Sequence, residues 1–409
     1  MKQDNSLPLT VRRLMAARAA RSLGQGALFA AFTLYLRVLG WSAPAIGATL
    51  SATLLLGAAL TMVFGPASDR LGRKRFLLIY EALQAAAALL ACITAWPPLL
   101  VLAAIVGGFG RGAGGSAGPF GPLEQAWLAE SLPARMRGPI FSLNAAIGFT
   151  GMAAGALIAG GVHFLIGPMG KMLAYRPLFL ISFAGSLTAF AFIGGLKEKR
   201  PVPQTGLPAE HQARREHEER QEENRMLARL VIANALNGMG IGMIGPLIAY
   251  WFALRFQHGP GSIGPALAAS FMLGGIGSVL VARLVKRQGL IRPVVFLRGI
   301  GVVLLLLVPL APFFAESAVL FAIRTGFNQG TAGVRQALVV GLTRHRKGLA
   351  ASLQNVSIQI PRAIGPLISA FMMHAGMLKT PFFIAAFLQL AYLALYARFF
   401  REYAEGGME

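Results

Sequence analysis

Charge is what this chain has least of: 13% of its 409 residues are Asp, Glu, Lys or Arg, against 55% hydrophobic. A soluble domain carries about a quarter charged residues. The shortfall runs the whole length, which argues against a soluble protein with a large core and for an integral membrane protein. Acidic charge is scarcer still, 16 Asp and Glu against 38 Lys and Arg. A net charge of +22 would suit nucleic acid, but the cations sit in short clusters between apolar runs, not along one polar face. That is the pattern of cytoplasmic loops, and no nucleic-acid partner is expected. Cysteine is almost absent. The single Cys92 forbids an intramolecular disulfide, and the six histidines show no metal-site spacing, so neither metal nor cofactor is expected.

What is present in abundance is apolar sequence long enough to cross a bilayer, about 20 residues at a time. Such segments run over 14–38, 46–67, 75–95, 98–130, 139–163 and 177–196, and again over 227–254, 263–282, 293–312, 317–341, 349–375 and 381–400. The start, "MKQDNSLPLTVRR", is polar and no signal-type cleavage site follows span 1, so span 1 is read as a retained anchor. The fold class expected is all-α and integral to the membrane. It comprises twelve transmembrane helices in two pseudo-symmetric six-helix bundles, 1–196 and 226–409, joined by a charged cytoplasmic linker, 197–225. The linker is proline-rich at first and helix-forming from Ala209, with mixed charge and no apolar stripe, and is read as a tether.

Orientation follows from the cations. With both termini inside, only Arg37, Lys171, Arg176, Arg255 and Lys379 fall in outer loops, while most of the 38 fall in inner ones. The two halves also echo each other. "EQAWLAESLPARMRGPIFSLN" at 124–144 matches "RQALVVGLTRHRKGLAASLQN" at 335–355 in Gln-Ala, basic-Gly and Ser-Leu pairs, each at the end of the fourth span of its half. Parallel six-helix repeats are a transporter architecture, with cargo held between the halves.

The turn between spans 2 and 3 reads "GPASDRLGRKR", 65–75. Positive-inside topology accounts for Arg70, Lys74 and Arg75, but it requires no carboxylate at Asp69. The string resembles the loop 2–3 signature of the major facilitator superfamily, and its place between those spans agrees. Gly65 would permit a close helix contact and Gly72 a tight turn. The resemblance implies a cytoplasmic latch in which Asp69 and Arg73, with Glu130 at the end of span 4, hold the start of span 11 near Gly348. It also implies alternating access. Arg111, among the glycines of "GGFGRGAGGSAGPFGP", is similar to the family's basic residue in span 4. The antiporter signature of span 5 is only partial: glycines are there, but its Gly-Pro pair is missing.

Within the spans the acids are Glu81, Glu124 and, at an edge, Glu130, against Arg18, Arg21, Arg111, Arg298, Arg324, Arg335 and Arg362. Either Arg18 and Arg21 line a cavity, which then favours an anion, or they snorkel to the inner interface. Glu124 and Arg335 occupy equivalent places in the repeat. They either face each other across the cavity, with Glu124 as proton site, or pair within their own halves. Phe29, Phe32, Met239, Met243 and Phe252 would line an apolar pocket or simply pack.

The function expected is proton-coupled efflux of amphipathic or drug-like molecules across a bacterial-type cytoplasmic (inner) membrane. The alternative is uptake or exchange of an organic anion, carboxylated or phosphorylated. The expected partners are a small-molecule substrate, protons and the lipid bilayer, and the expected state is a monomer. An intramembrane enzyme would need a DxxD-like pair, and no span has one.

Overall fold

The computed structural model describes residues 7–112, 118–198, 213–288, 291–331 and 347–399, with no strand among them. The first half contains α1 (Leu9–Val38), α2 (Ala43–Leu71), α3 (Arg73–Ile93), α4 (Pro97–Gly107), α5 (Phe120–Glu130), α6 (Ala134–Gly160), the short α7 (Val162–Met169) and α8 (Arg176–Gly194). The second contains α9 (Ala213–Ile244), α10 (Ile248–Phe256), α11 (Pro260–Gln288), α12 (Ile291–Leu307), α13 (Phe314–Gly330), α14 (Lys347–His374) and α15 (Thr380–Phe399). Among the described residues nine helical stretches are long and apolar enough to cross a membrane.

Local sequence sets the boundaries. Ser42 accepts a hydrogen bond from the Ala45 amide at the start of α2, a side-chain cap that satisfies one orphan donor. Gly72, at φ 91°, turns α2 into α3 within one residue, a backbone state that a Cβ disfavours. Span 4 departs from the single helix expected over 98–130. It is broken after Gly107, with positive φ at Gly108, Gly110 and Gly118, and resumes as α5. Phe109 turns inward at the break and packs on Phe32 and Phe179. A broken backbone at this depth is tolerated when it is buried in protein or lines a cavity. In the linker a helix forms from Ala213, close to the helix expected from Ala209, and its charged first turns run unbroken into span 7.

The packing pattern occurs twice. In the first half α1 lies on α6 and α8, and α3 on α8; in the second, α9 lies on α14 and α15, and α12 on α15. The halves meet through α2 with α14 and α6 with α11, reciprocal pairs related by the same pseudo-two-fold. Small residues allow these crossings to be close. A Cβ on Gly47 would stand 2.3 Å from Ala370 Cβ, and one on Gly264 would stand 2.6 Å from the Ala156 carbonyl.

Candidate functional site

The two ends of the molecule differ. Arg13 donates to the Gly195 carbonyl and Lys74 to those of Gly194 and Leu196. The ends of α1, α3 and α8 therefore gather at one face, the basic end. Toward the opposite, far end the halves are in contact: besides Gly47 and Gly264, Ser51 Oγ accepts the Leu367 amide at 3.1 Å, and Phe29 meets Phe271 edge-on. At the basic end Gly65 and Gly138 have nothing within 4 Å of where a side chain would begin. The close helix contact expected at Gly65 is absent from this conformation, because the space beside it is open.

At the α2–α3 turn Arg73 pairs with Asp69 at 3.0 Å and with Glu130. Asp69 is 65% exposed and Glu130 50%, while Arg73 is buried beneath them. Arg70 and Arg75 point to solvent. The α14 start near Gly348, the expected partner of Asp69, has side chains outside the described residues. One participant went unnoticed in the sequence. Glu198, beyond α8, accepts the amides of Arg73 at 2.6 Å and Lys74 at 3.0 Å. A carboxylate there satisfies orphan donors and complements the positive end of the α3 dipole. Its Oε2 also lies 2.8 Å from where a Gly72 Cβ would stand.

Deeper in the first half, Arg18 and Arg21 are buried, so neither snorkels. Arg18 contacts Glu124 at 2.5 Å, and Asn144 from α6 bonds the same carboxylate. Arg21 contacts Glu81 at 2.9 Å, donates to Gln84, and lies 3.9 Å over the Phe120 ring; Ser186 of α8 also bonds Glu81. Glu124 is thus paired within its own half; Arg335, its expected counterpart across the cavity, lies outside the described residues. In the second half the buried arginines bond amides: Arg298 to Asn237 at 2.9 Å and Arg324 to Gln389 at 3.3 Å.

Two arginines meet at the break in span 4. Arg111 is buried, its guanidinium resting on Gly57, Gly108 and Gly118 with Tyr80 alongside. From the other half, Arg362 of α14 donates to the Gly112 carbonyl at 2.9 Å. The carbonyl that Arg362 holds belongs to the residue next to Arg111. Of the residues expected to form an apolar pocket, Phe29 meets Phe271 across the halves, Met239 is half-buried, and the other three are packed within the bundles. Phe32 packs on Phe109 and Phe179, Phe252 on Trp251, Phe314 and Phe321, and Met243 is fully buried. No group of three metal-ligating side chains occurs among the described residues.

The sequence matches the family model described as Major Facilitator Superfamily over residues 14–326 and 230–407. Solved structures resemble the fold from end to end. The nucleoside transporter NupG aligns with TM-score 0.69 at 14% identity, covering 96% of this chain and 100% of that one. A bacterial homolog of the human lysosomal transporter Spinster, in an inward-facing and unoccupied conformation, aligns with TM-score 0.72 at 13% identity, covering 97% and 99%. A D-xylose–proton symporter gives 0.68 at 16%, covering 94% and 96%. Such identities speak for the fold alone. A search of curated proteins by sequence finds no match.

Proposed function

From the premise that this chain belongs to the Major Facilitator Superfamily, we propose that it is a secondary transporter alternating between two conformations, and that the one seen here opens toward the cytoplasm. The carrying observation is the asymmetry of the ends: close crossings at Gly47 and Gly264, open space beside Gly65 and Gly138. The clustering of cations at the open end supports a cytoplasmic assignment for it and for both termini. In the other conformation Asp69, with Arg73 and Glu130, closes onto the start of α14. Its present exposure fits a latch that is undone.

For cargo we rank the anionic reading above amphipathic efflux. The aromatic residues that the latter needs are taken up in packing. By contrast, Glu316 is the one acidic residue between positions 226 and 399, and it lies exposed at the start of α13. Among the described residues Arg324 of α13 meets an amide rather than a carboxylate, and a buried charge left in that way favours a negative solute. Glu81 and Glu124 are the buried carboxylates available to proton coupling.

A cargo-independent test uses spin labels in a Cys92→Ser background, one pair at Ser42 and Met377 (far end) and one at Gly138 and Arg398 (basic end). Two populations are expected, with one distance lengthening as the other shortens. Asp69→Asn should raise the basic-end-open fraction without impairing membrane insertion. Single, fixed distances in both pairs would defeat the proposal.

A further inference from the structure

The geometry points to an anion site made by Arg111 and Arg362, one arginine from each half, for the carboxylate or phosphate group of the cargo. It rests on the transporter reading above and gives it a chemical address. Neither arginine takes part in an ion pair among the described residues; the four pairs there involve Arg18, Arg21 and Arg73. The Nε atoms of both are buried without a hydrogen-bond partner. Arg21, the further charge near Arg111, is also positive. Two like charges thus lie on either side of the break, each with a buried donor unmet, and an anion would satisfy both.

Arg111 is cradled by absent side chains. A Cβ at Gly57 would lie 2.4 Å from its Nη1, one at Gly108 2.6 Å from its Cζ, and one at Gly118 2.7 Å from its Nη1. Glycine at these three places lets backbone press against the guanidinium and fixes its plane. Its Nη2 donates to the Ile105 carbonyl at 3.3 Å and Tyr80 bonds the same side chain, which leaves the Nε edge for a carboxylate or phosphate. Among the described residues Arg362 bonds the Gly112 carbonyl, a neutral acceptor that an anion would outcompete. Because the two arginines belong to different halves, bound anion links them near the middle of the molecule. Occupancy and the relative position of the halves are then coupled.

The test is the melting temperature of the purified protein titrated with inorganic phosphate, citrate and benzoate, against chloride at matched ionic strength. Saturable stabilisation by at least one of the three is expected, and which one identifies phosphate or carboxylate as the group recognised. Arg362→Gln and Arg111→Gln should each weaken the apparent affinity tenfold or more, with Arg362→Lys retaining part of it. Should Arg111→Gln not fold, Arg362→Gln decides, since its side chain is only partly buried. No stabilisation beyond chloride by any of the three, or unchanged affinity in Arg362→Gln, overturns the site. Moving spin-label distances without an anion effect would reject this site and leave the transporter reading standing. Fixed distances with anion binding would do the reverse.

Discussion

The far-end contact makes the most direct demand on the two-conformation picture. A leucine at Gly47 would begin with a Cβ 2.3 Å from Ala370 Cβ and 2.7 Å from the Pro366 carbonyl. Ordinary carbon contacts lie at about 3.5–4.0 Å, so α2 and α14 must part by more than ~1 Å before the rest of the side chain is accommodated. Overpacking of this kind costs about 1–3 kcal/mol. Charged against the far-end-closed conformation alone, that is roughly a 5- to 150-fold shift in the equilibrium. Ser51, one turn below Gly47 on α2 and bonded to α14, is the reporter. With Cys92→Ser, a cysteine at Ser51 should react with an impermeant maleimide about tenfold faster or more in Gly47→Leu than in its parent. Gly65→Leu should do the opposite, because its side chain fits the open space here and obstructs closure at the basic end. Equal labelling in Gly47→Leu and parent, with normal insertion, would refute the reasoning.

Two further outcomes follow from the polar contacts. Glu81→Met alone should strand Arg21 as an uncompensated buried charge, costing about 3–5 kcal/mol, whereas Glu81→Met with Arg21→Met should recover most of the loss in a thermal melt. Glu198→Ala should remove the cap on α3 and cost ~1 kcal/mol, read as a lower melting temperature; a melt matching the parent would remove Glu198 from the turn's support.

Apolar run length and cation placement made the spans and the basic turn readable in sequence, because both signals are local. The partners of Arg18 and Arg21 were not readable. Their carboxylates lie on α5 and α3, and nothing within one helix distinguishes an arginine that snorkels from one that meets Glu124 or Glu81 across the bundle. The break in span 4 was hidden for another reason. Glycines at 107–118 signal close packing as readily as positive φ, and only Phe109 turning inward between Phe32 and Phe179 resolves which. Glu198 was lost in a linker whose composition reads as tether, although its place after "GGLK" put it within reach of a helix start. Asp69 stood out because the topology rule leaves a carboxylate there without a reason.

The halves repeat their packing but not their polar chemistry, and that difference bears on how an anion would move. In the first half, Arg18 and Arg21 sit against Glu124 and Glu81, so each charge is offset. In the second, Arg298 and Arg324 sit against Asn237 and Gln389. An amide oxygen meets a hydrogen bond but cancels no charge, and low surrounding dielectric preserves what is left. Among the described residues Arg324 therefore keeps a charge that its amide partner does not cancel, while Arg18 and Arg21 of the first half are offset by carboxylates. At the proposed site an anion lies between Arg362 of α14 and Arg111 of the other half, and closure of the halves would tighten both contacts. A cation or a neutral amphipath would gain nothing from that closure, so selectivity and the conformational step would draw on the same two side chains.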